Sequence, residues 1–244
     1  EVLRRAIDAE RMTYELYTLY LNDRDGQARR VAGIIEACGA GEERTLGRAL
    51  AVQGQMLAWD GRHGESDLVL RRATQLLTET GDDATASAAL VQLGFNVHLH
   101  EQLEVAEATF TEAVRLAGDD ARARATALTY LGEVKVWRGN ADDGVVDLRE
   151  AEALARATRD ARAHAYAAWG LALHASVTGD VERTVSRVVQ AGRLLRVWID
   201  TGVGATYVAT MTDLLDRVKT FLATERGQRI LLSGTSYELS RITS

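Results

Sequence analysis

The sequence predicts an all-α fold built from antiparallel helix hairpins, and three observations support this prediction. The 244 residues contain no proline, a residue that lacks an amide hydrogen and clashes with the preceding helical turn. Small and large residues recur in the same order at intervals of 38 to 40 residues. The stretches TGDDA at 80–84 and AGDDA at 117–121 place a glycine where one helix ends and an aspartate, such as Asp82 or Asp120, to cap the next.

The first two predicted helices differ from the repeats that follow them. Residues 4–21 and 27–38 have the apolar spacing of amphipathic helices. We therefore predict that residues 1–40 form a divergent N-terminal helical hairpin.

Four repeats of about 40 residues are predicted to fill residues 41–200. The first column of small residues is Gly54, Gly94, Gly132 and Ala172, and a column of large residues is Leu70, Phe110, Leu148 and Val188. Glycine inside a helix costs about 1 kcal/mol relative to alanine, so its recurrence indicates compensation by close helix packing. The small columns let two helices cross closely, and the large column fills the space between neighbouring hairpins.

The C-terminal part of the chain departs from the repeat pattern. Apolar residues recur at helical spacing from 203 to 224, which predicts a capping helix over 201–225, because a terminal repeat must cover exposed apolar surface. A seam between two copies of the chain is the alternative, so a homodimer stays open. Residues 226–244 are interpreted as a tail or linker.

Composition excludes several functions. The net charge of -6 argues against direct nucleic-acid binding by this segment. A single cysteine, Cys38, excludes a disulfide framework and a multi-cysteine zinc site. No apolar stretch reaches the roughly 18 residues of a membrane span, so we expect no membrane contact and a cytoplasmic location, as one piece of a longer protein.

No catalytic or cofactor-binding motif is visible. The chain lacks a glycine-rich phosphate-binding loop, and His98 and His100 lie about 200° apart on a helix, too far round it to share a metal. We therefore predict no cofactor, no metal site and no enzymatic activity. A helical accessory domain of an enzyme is the less favoured alternative.

The repeat pattern resembles the tetratricopeptide repeat (TPR) family over about residues 45–198. Its signature positions in the third repeat are Leu128, Leu131, Gly132, Gly139, Gly144, Leu148 and Ala151. The longer period, the missing closing proline and Lys135 in place of an aromatic residue depart from that family. The resemblance implies a right-handed superhelix of antiparallel hairpins with a concave groove.

The period and the A-x-x-x-G-D linker also resemble the repeat arrays of large bacterial signalling ATPases and of LuxR-type, maltose-regulator-like transcription activators. This resemblance implies the sensor or autoinhibitory arm of a bacterial multidomain transcription regulator. A structural scaffold that joins protein partners is the alternative.

Groove positions carried over from the TPR family define a candidate binding site, called here the predicted groove set. Its members are Gln55, Trp59, Phe95, His98, Glu133, Trp137, Tyr166 and Trp169. The lysines and asparagines that clamp chaperone carboxylates are missing. Aromatic side chains dominate binding hot spots, so the expected occupant is a protein or peptide partner, or a small-molecule effector. Packing between repeats is the alternative role for each aromatic residue.

Overall fold

A computed structural model describes residues 1–200, and the side chains of all of these except 14–22 and 196–200. Over this range the backbone forms ten helices and no strand, which confirms the predicted all-α class. The helices are α1 (Val2–Asn22), α2 (Arg24–Ala37), α3 (Glu43–Trp59), α4 (His63–Glu79), α5 (Asp83–Leu99), α6 (Leu103–Ala117), α7 (Ala121–Trp137), α8 (Ala141–Ala157), α9 (Ala161–Val177) and α10 (Val181–Asp200). The predicted capping helix 201–225 and tail 226–244 lie outside the described residues.

The chain divides into two compact units, Glu1–Tyr130 and the part that begins at Leu131. In the first unit, α1 and α2 pack against α3, and the hairpins α3–α4 and α5–α6 pack through α4 and α5. In the second unit, α9 packs against both α8 and α10. Consecutive helices thus form the antiparallel hairpins that the sequence predicts.

The predicted small residues lie where the helices of a hairpin cross. A Cβ added to Gly94 would lie 2.5 Å from Cε1 of Phe110. In the α7–α8 hairpin, a Cβ on Gly144 would lie 2.6 Å from the carbonyl oxygen of Gly132. The two glycines therefore allow the backbones of α7 and α8 to approach closely. The glycines at these crossings are therefore explained by packing, which offsets their low helix propensity.

The predicted large residues fill the interior. Leu70, Phe110 and Leu148 are at most 1% exposed, whereas Val188 at the fourth position of the same column is half-buried. Burying a leucine or phenylalanine side chain stabilises the fold by about 1.5 to 3 kcal/mol. The core of the first three repeats therefore follows the columns that the sequence displays.

The predicted aspartate caps have two outcomes. Asp120 accepts hydrogen bonds from the amides of Arg122 and Ala123 at 3.0 and 2.9 Å, so it caps α7. Asp82 makes no cap hydrogen bond, because its carboxylate instead binds the guanidinium of Arg48 at 2.6 Å and the hydroxyl of Thr85 at 2.8 Å. The cap prediction is wrong for Asp82, since a stronger charged partner takes the carboxylate.

Candidate functional site

The predicted groove set lies entirely on the first helices of the hairpins. The pairs are Gln55 and Trp59 on α3, Phe95 and His98 on α5, Glu133 and Trp137 on α7, and Tyr166 and Trp169 on α9. Four of these residues belong to the first compact unit and four to the second.

Two members of the set connect successive first helices in the first unit. The amide nitrogen of Gln55 donates a hydrogen bond to the side-chain oxygen of Gln92 on α5. Phe95 meets the ring of Tyr130 on α7 edge-on, with ring centroids 6.0 Å apart, and is 37% exposed. Gln55 and Phe95 occupy equivalent repeat positions, so this position bridges one first helix to the next.

Trp59 and His98 are less exposed than Trp137 and Trp169. Trp59 is half-buried and packs against the apolar cluster made by α1, α2 and α3, which includes Met12, Ile34 and Val52. His98 is half-buried, and its Nδ1 is buried without a hydrogen-bond partner among the described residues. Burial lowers the pKa of His98, so its ring is neutral at neutral pH.

Glu133 is the acidic member of the set in the second unit, and its side chain is half-buried. A Cβ added to Gly170 on α9 would lie 3.1 Å from Cγ and 3.2 Å from Oε1 of Glu133, so the carboxyl group rests against the glycine backbone. Burial raises the pKa of Glu133 to about 8, because an ionised carboxylate is poorly solvated there. No hydrogen bond or ion pair reaches it from the part of the chain that the structure describes.

Exposed indole rings occur on the same two helices. Trp137 lies one turn after Glu133 on α7 and is 55% exposed, and Trp169 directly precedes Gly170 on α9 and is 43% exposed. Tyr166 is half-buried one turn before Gly170. Large exposed aromatic residues are typical of binding surfaces, although the assignment of the full set stays a prediction.

A buried polar network that sequence reasoning missed surrounds Asn96. This side chain is fully buried and donates 2.9 Å hydrogen bonds to the hydroxyl of Ser66 and the carboxylate of Asp67. Its oxygen accepts a 3.0 Å hydrogen bond from Gln92, the partner of Gln55. The only sequence signal was one asparagine within the apolar stretch of α5, which does not reveal its partners.

A second missed cluster joins α8, α9 and α10 in the second unit. The Glu152 carboxylate is bound by Arg187 at 2.5 Å and by Arg156 at 3.0 Å, and Nε2 of His164 lies 3.6 Å away. Burial opposes ionisation of Glu152, but the two arginines hold its pKa below the usual range. The Glu152 carboxylate is paired within the cluster, so the cluster links the helices of this unit and leaves no unpaired carboxylate for a ligand.

The described residues offer no metal centre. Among residues 1–200, no group of three or more histidine, cysteine or acidic side chains is placed to hold a metal ion. The rings of His63 and His100 do meet edge-on at 5.7 Å, a contact that the sequence did not predict. None of the described helices combines the length and apolar character needed to cross a membrane.

No protein-family model matches this chain, and no curated protein matches it in sequence. The solved structures that resemble it include two helical-repeat proteins. BtubC (BKLC) from P. vanneervenii has a TM-score of 0.57 and 15% identity, over 81% of this chain and 92% of that one. A Podospora anserina putative kinesin light chain with nearly identical TPR-like repeats has a TM-score of 0.51 and 13% identity, over 80% of this chain and 94% of that one. The chain therefore has a TPR-like repeat fold, which confirms the predicted fold class.

Proposed function

We propose that this chain is a protein-binding module that binds a partner segment through the exposed surface of its first helices. The observation that carries the proposal is the pair of exposed tryptophans, Trp137 and Trp169, on the two helices that enclose the unpaired Glu133. Tryptophan contributes more binding energy at interfaces than most residues because it buries a large rigid surface. The TPR-like fold is consistent with such a role.

A regulatory role for this binding is the finer part of the proposal. The resemblance to bacterial signalling ATPases and LuxR-type activators supports a sensor or autoinhibitory arm, in which partner binding shifts the population between two states of an attached effector. No residue of the described part is assigned a catalytic role. A small-molecule effector and a purely structural scaffold stay as alternatives.

Tryptophan fluorescence tests the binding proposal. Pools of synthetic octapeptides are titrated into the protein and into the variants Trp137→Phe and Trp59→Phe. We expect a saturable emission change that the Trp137→Phe variant loses, because the Trp137 ring is exposed to a partner.

The Trp59→Phe variant is the matched control, since Trp59 occupies the equivalent repeat position but packs against the core. It should keep the emission change and unfold at a lower urea concentration. Absence of any response to every pool, with both variants only less stable, would contradict the proposal and favour a structural scaffold.

A further inference from the structure

One repeat position makes a bridge between successive first helices, and the bridge changes in the second unit. In the first unit, Gln55 pairs with Gln92 and Phe95 with Tyr130. In the second unit the equivalent pair is Glu133 and Gly170, which touch closely. Glycine has no side chain to donate a hydrogen bond or to pair with a charge. The carboxyl group is therefore brought to the interhelix position without the partner that the other repeats supply.

Several enclosed carboxylates of the described residues have cationic partners, and Glu133 does not. The paired examples are Glu42 with Arg5 at 2.8 Å, Asp82 with Arg48 at 2.6 Å and Glu152 with Arg187 at 2.5 Å. A charge removed from water without a partner is costly, whereas a paired one is compensated. An ionised Glu133 therefore lacks the cation or hydrogen-bond donor that would compensate its charge.

Among the described residues, no side chain supplies that cation. Lys135, two residues along α7, is held by Asp147 on α8 through a 2.6 Å ion pair. Gly170 contributes only backbone from α9, and its remaining space is taken by Leu148, whose Cδ2 would lie 2.3 Å from an added Cβ. The missing partner must therefore come from outside the described residues.

The surroundings favour a cation over a neutral donor. Trp137 and Trp169 expose indole rings on the two helices that enclose Glu133, and the faces of such rings attract ammonium and guanidinium groups. The net charge of the chain is -6, which favours approach of a basic segment.

We propose that Glu133 binds an arginine or lysine side chain of a protein partner, with Trp137 and Trp169 providing aromatic contacts to the same group. This inference rests on the proposed function, and it specifies the chemistry of the partner segment. The carboxylate forms a charge-assisted hydrogen bond with the cation, which satisfies the unpaired group.

Octapeptide pools with a fixed central residue test the chemistry. The central residue is arginine, lysine, citrulline or norleucine, and the flanking positions are random. Citrulline is close to arginine in shape, but a carbonyl oxygen replaces one nitrogen of the guanidinium group and the side chain carries no charge. We expect the arginine and lysine pools to bind about tenfold more tightly than the two neutral pools, as a hydrogen bond to a charged group implies.

Two variants with the same change of charge separate a specific contact from general electrostatics. Glu133→Gln should abolish the preference for the cationic pools. Glu182→Gln, at an exposed position near the start of α10, should keep it. Circular dichroism of both variants checks that the helices remain folded.

The outcomes distinguish this inference from the function on which it rests. Binding of pools without a preference for the cationic centre, or a preference that survives Glu133→Gln, overturns the cation inference and leaves the binding module standing. Failure of every pool to bind overturns the proposed function itself.

Discussion

At the scale of single residues, left-handed backbone recurs at the turn inside each hairpin of the four repeats. Gly61, Gly139 and Gly179 have φ values of 76°, 88° and 77°, and Glu101 at the equivalent position has a φ of 59°. A residue with a Cβ is strained in this conformation by roughly 1 to 2 kcal/mol. The second hairpin therefore holds a strained glutamate where the others use glycine.

Replacing Glu101 by glycine should stabilise the protein. The expected gain in the free energy of unfolding is about 0.5 to 1 kcal/mol, because relief of the strain exceeds the extra chain entropy of glycine. Urea unfolding followed by circular dichroism measures it. Gly139→Ala is the reciprocal control and should lower the stability, because alanine is strained in left-handed backbone. No atom lies within 4 Å of the added Cβ, so a steric clash does not contribute. A destabilising Glu101→Gly would show that the glutamate makes a compensating contact.

Glu133 should make stability depend on pH. Its pKa is raised from 4.5 to about 8 in the folded protein, so between these values the folded state binds more protons than the unfolded state, and stability falls as pH rises. Glu133→Gln removes this loss. The variant should match the parent at pH values below that window and exceed it by about 1 to 3 kcal/mol above the window.

Urea unfolding of both proteins across this window measures the difference. A difference in free energy of unfolding that stays constant with pH would contradict the raised pKa. The effect is confined to this repeat, because Gln55 and Phe95 at the equivalent positions do not ionise.

At the scale of helices, close crossing of two helices explains the glycines of the repeat columns, such as Gly94, Gly132 and Gly144. The crossing of α7 and α8 is closest to backbone contact, since Gly132 and Gly144 each approach the other's carbonyl oxygen. In the second hairpin the atom opposite Gly94 belongs to the ring of Phe110, which can shift more readily than backbone. The same column thus tolerates a larger side chain to different degrees in different repeats.

Gly144→Ala should destabilise the protein, because the added methyl group would meet the Gly132 carbonyl oxygen at 2.6 Å. We expect a loss of about 1 to 3 kcal/mol from overpacking, measured by urea unfolding. Gly33→Ala in α2 is the control. No atom lies within 4 Å of its added Cβ, so alanine should gain up to about 1 kcal/mol of helix propensity. Equal effects of the two substitutions would contradict the role of Gly144 in close packing.

At the scale of the whole molecule, the excess of negative charge bears on how a partner arrives. Attraction between a chain of net charge -6 and a basic segment acts before contact and is screened by salt. The contact at Glu133, by contrast, forms only once the segment is bound. The long-range attraction should therefore affect the association rate, and the contact at Glu133 should affect the dissociation rate.

Stopped-flow tryptophan fluorescence with an arginine-centred octapeptide pool separates them. Raising the salt concentration from about 0.02 to 0.5 M should slow association several-fold, because screening weakens long-range attraction. Glu133→Gln should mainly speed dissociation. Association that is insensitive to salt would contradict steering by the net charge.

The sequence by itself determined the fold class and the packing columns. Gly94 and Gly144 are small, and Phe110 and Leu148 large, because each repeat must satisfy the same helix crossing, and a repeated steric constraint leaves a periodic pattern. The turn glycines follow for the same reason, since left-handed backbone disfavours a Cβ.

Only the tertiary structure decided how equivalent positions differ. Trp59 and Trp137 are equivalent in the repeat, yet Trp59 packs against the core to which α1 and α2 contribute, whereas Trp137 is exposed. Glu133 lacks a side-chain partner on α9 because Gly170 lies opposite it, and the repeat pattern does not show this pairing. Periodicity determines which face of a helix is buried, but the environment of each side chain depends on neighbours that are distant in sequence, and those neighbours set its burial and charge.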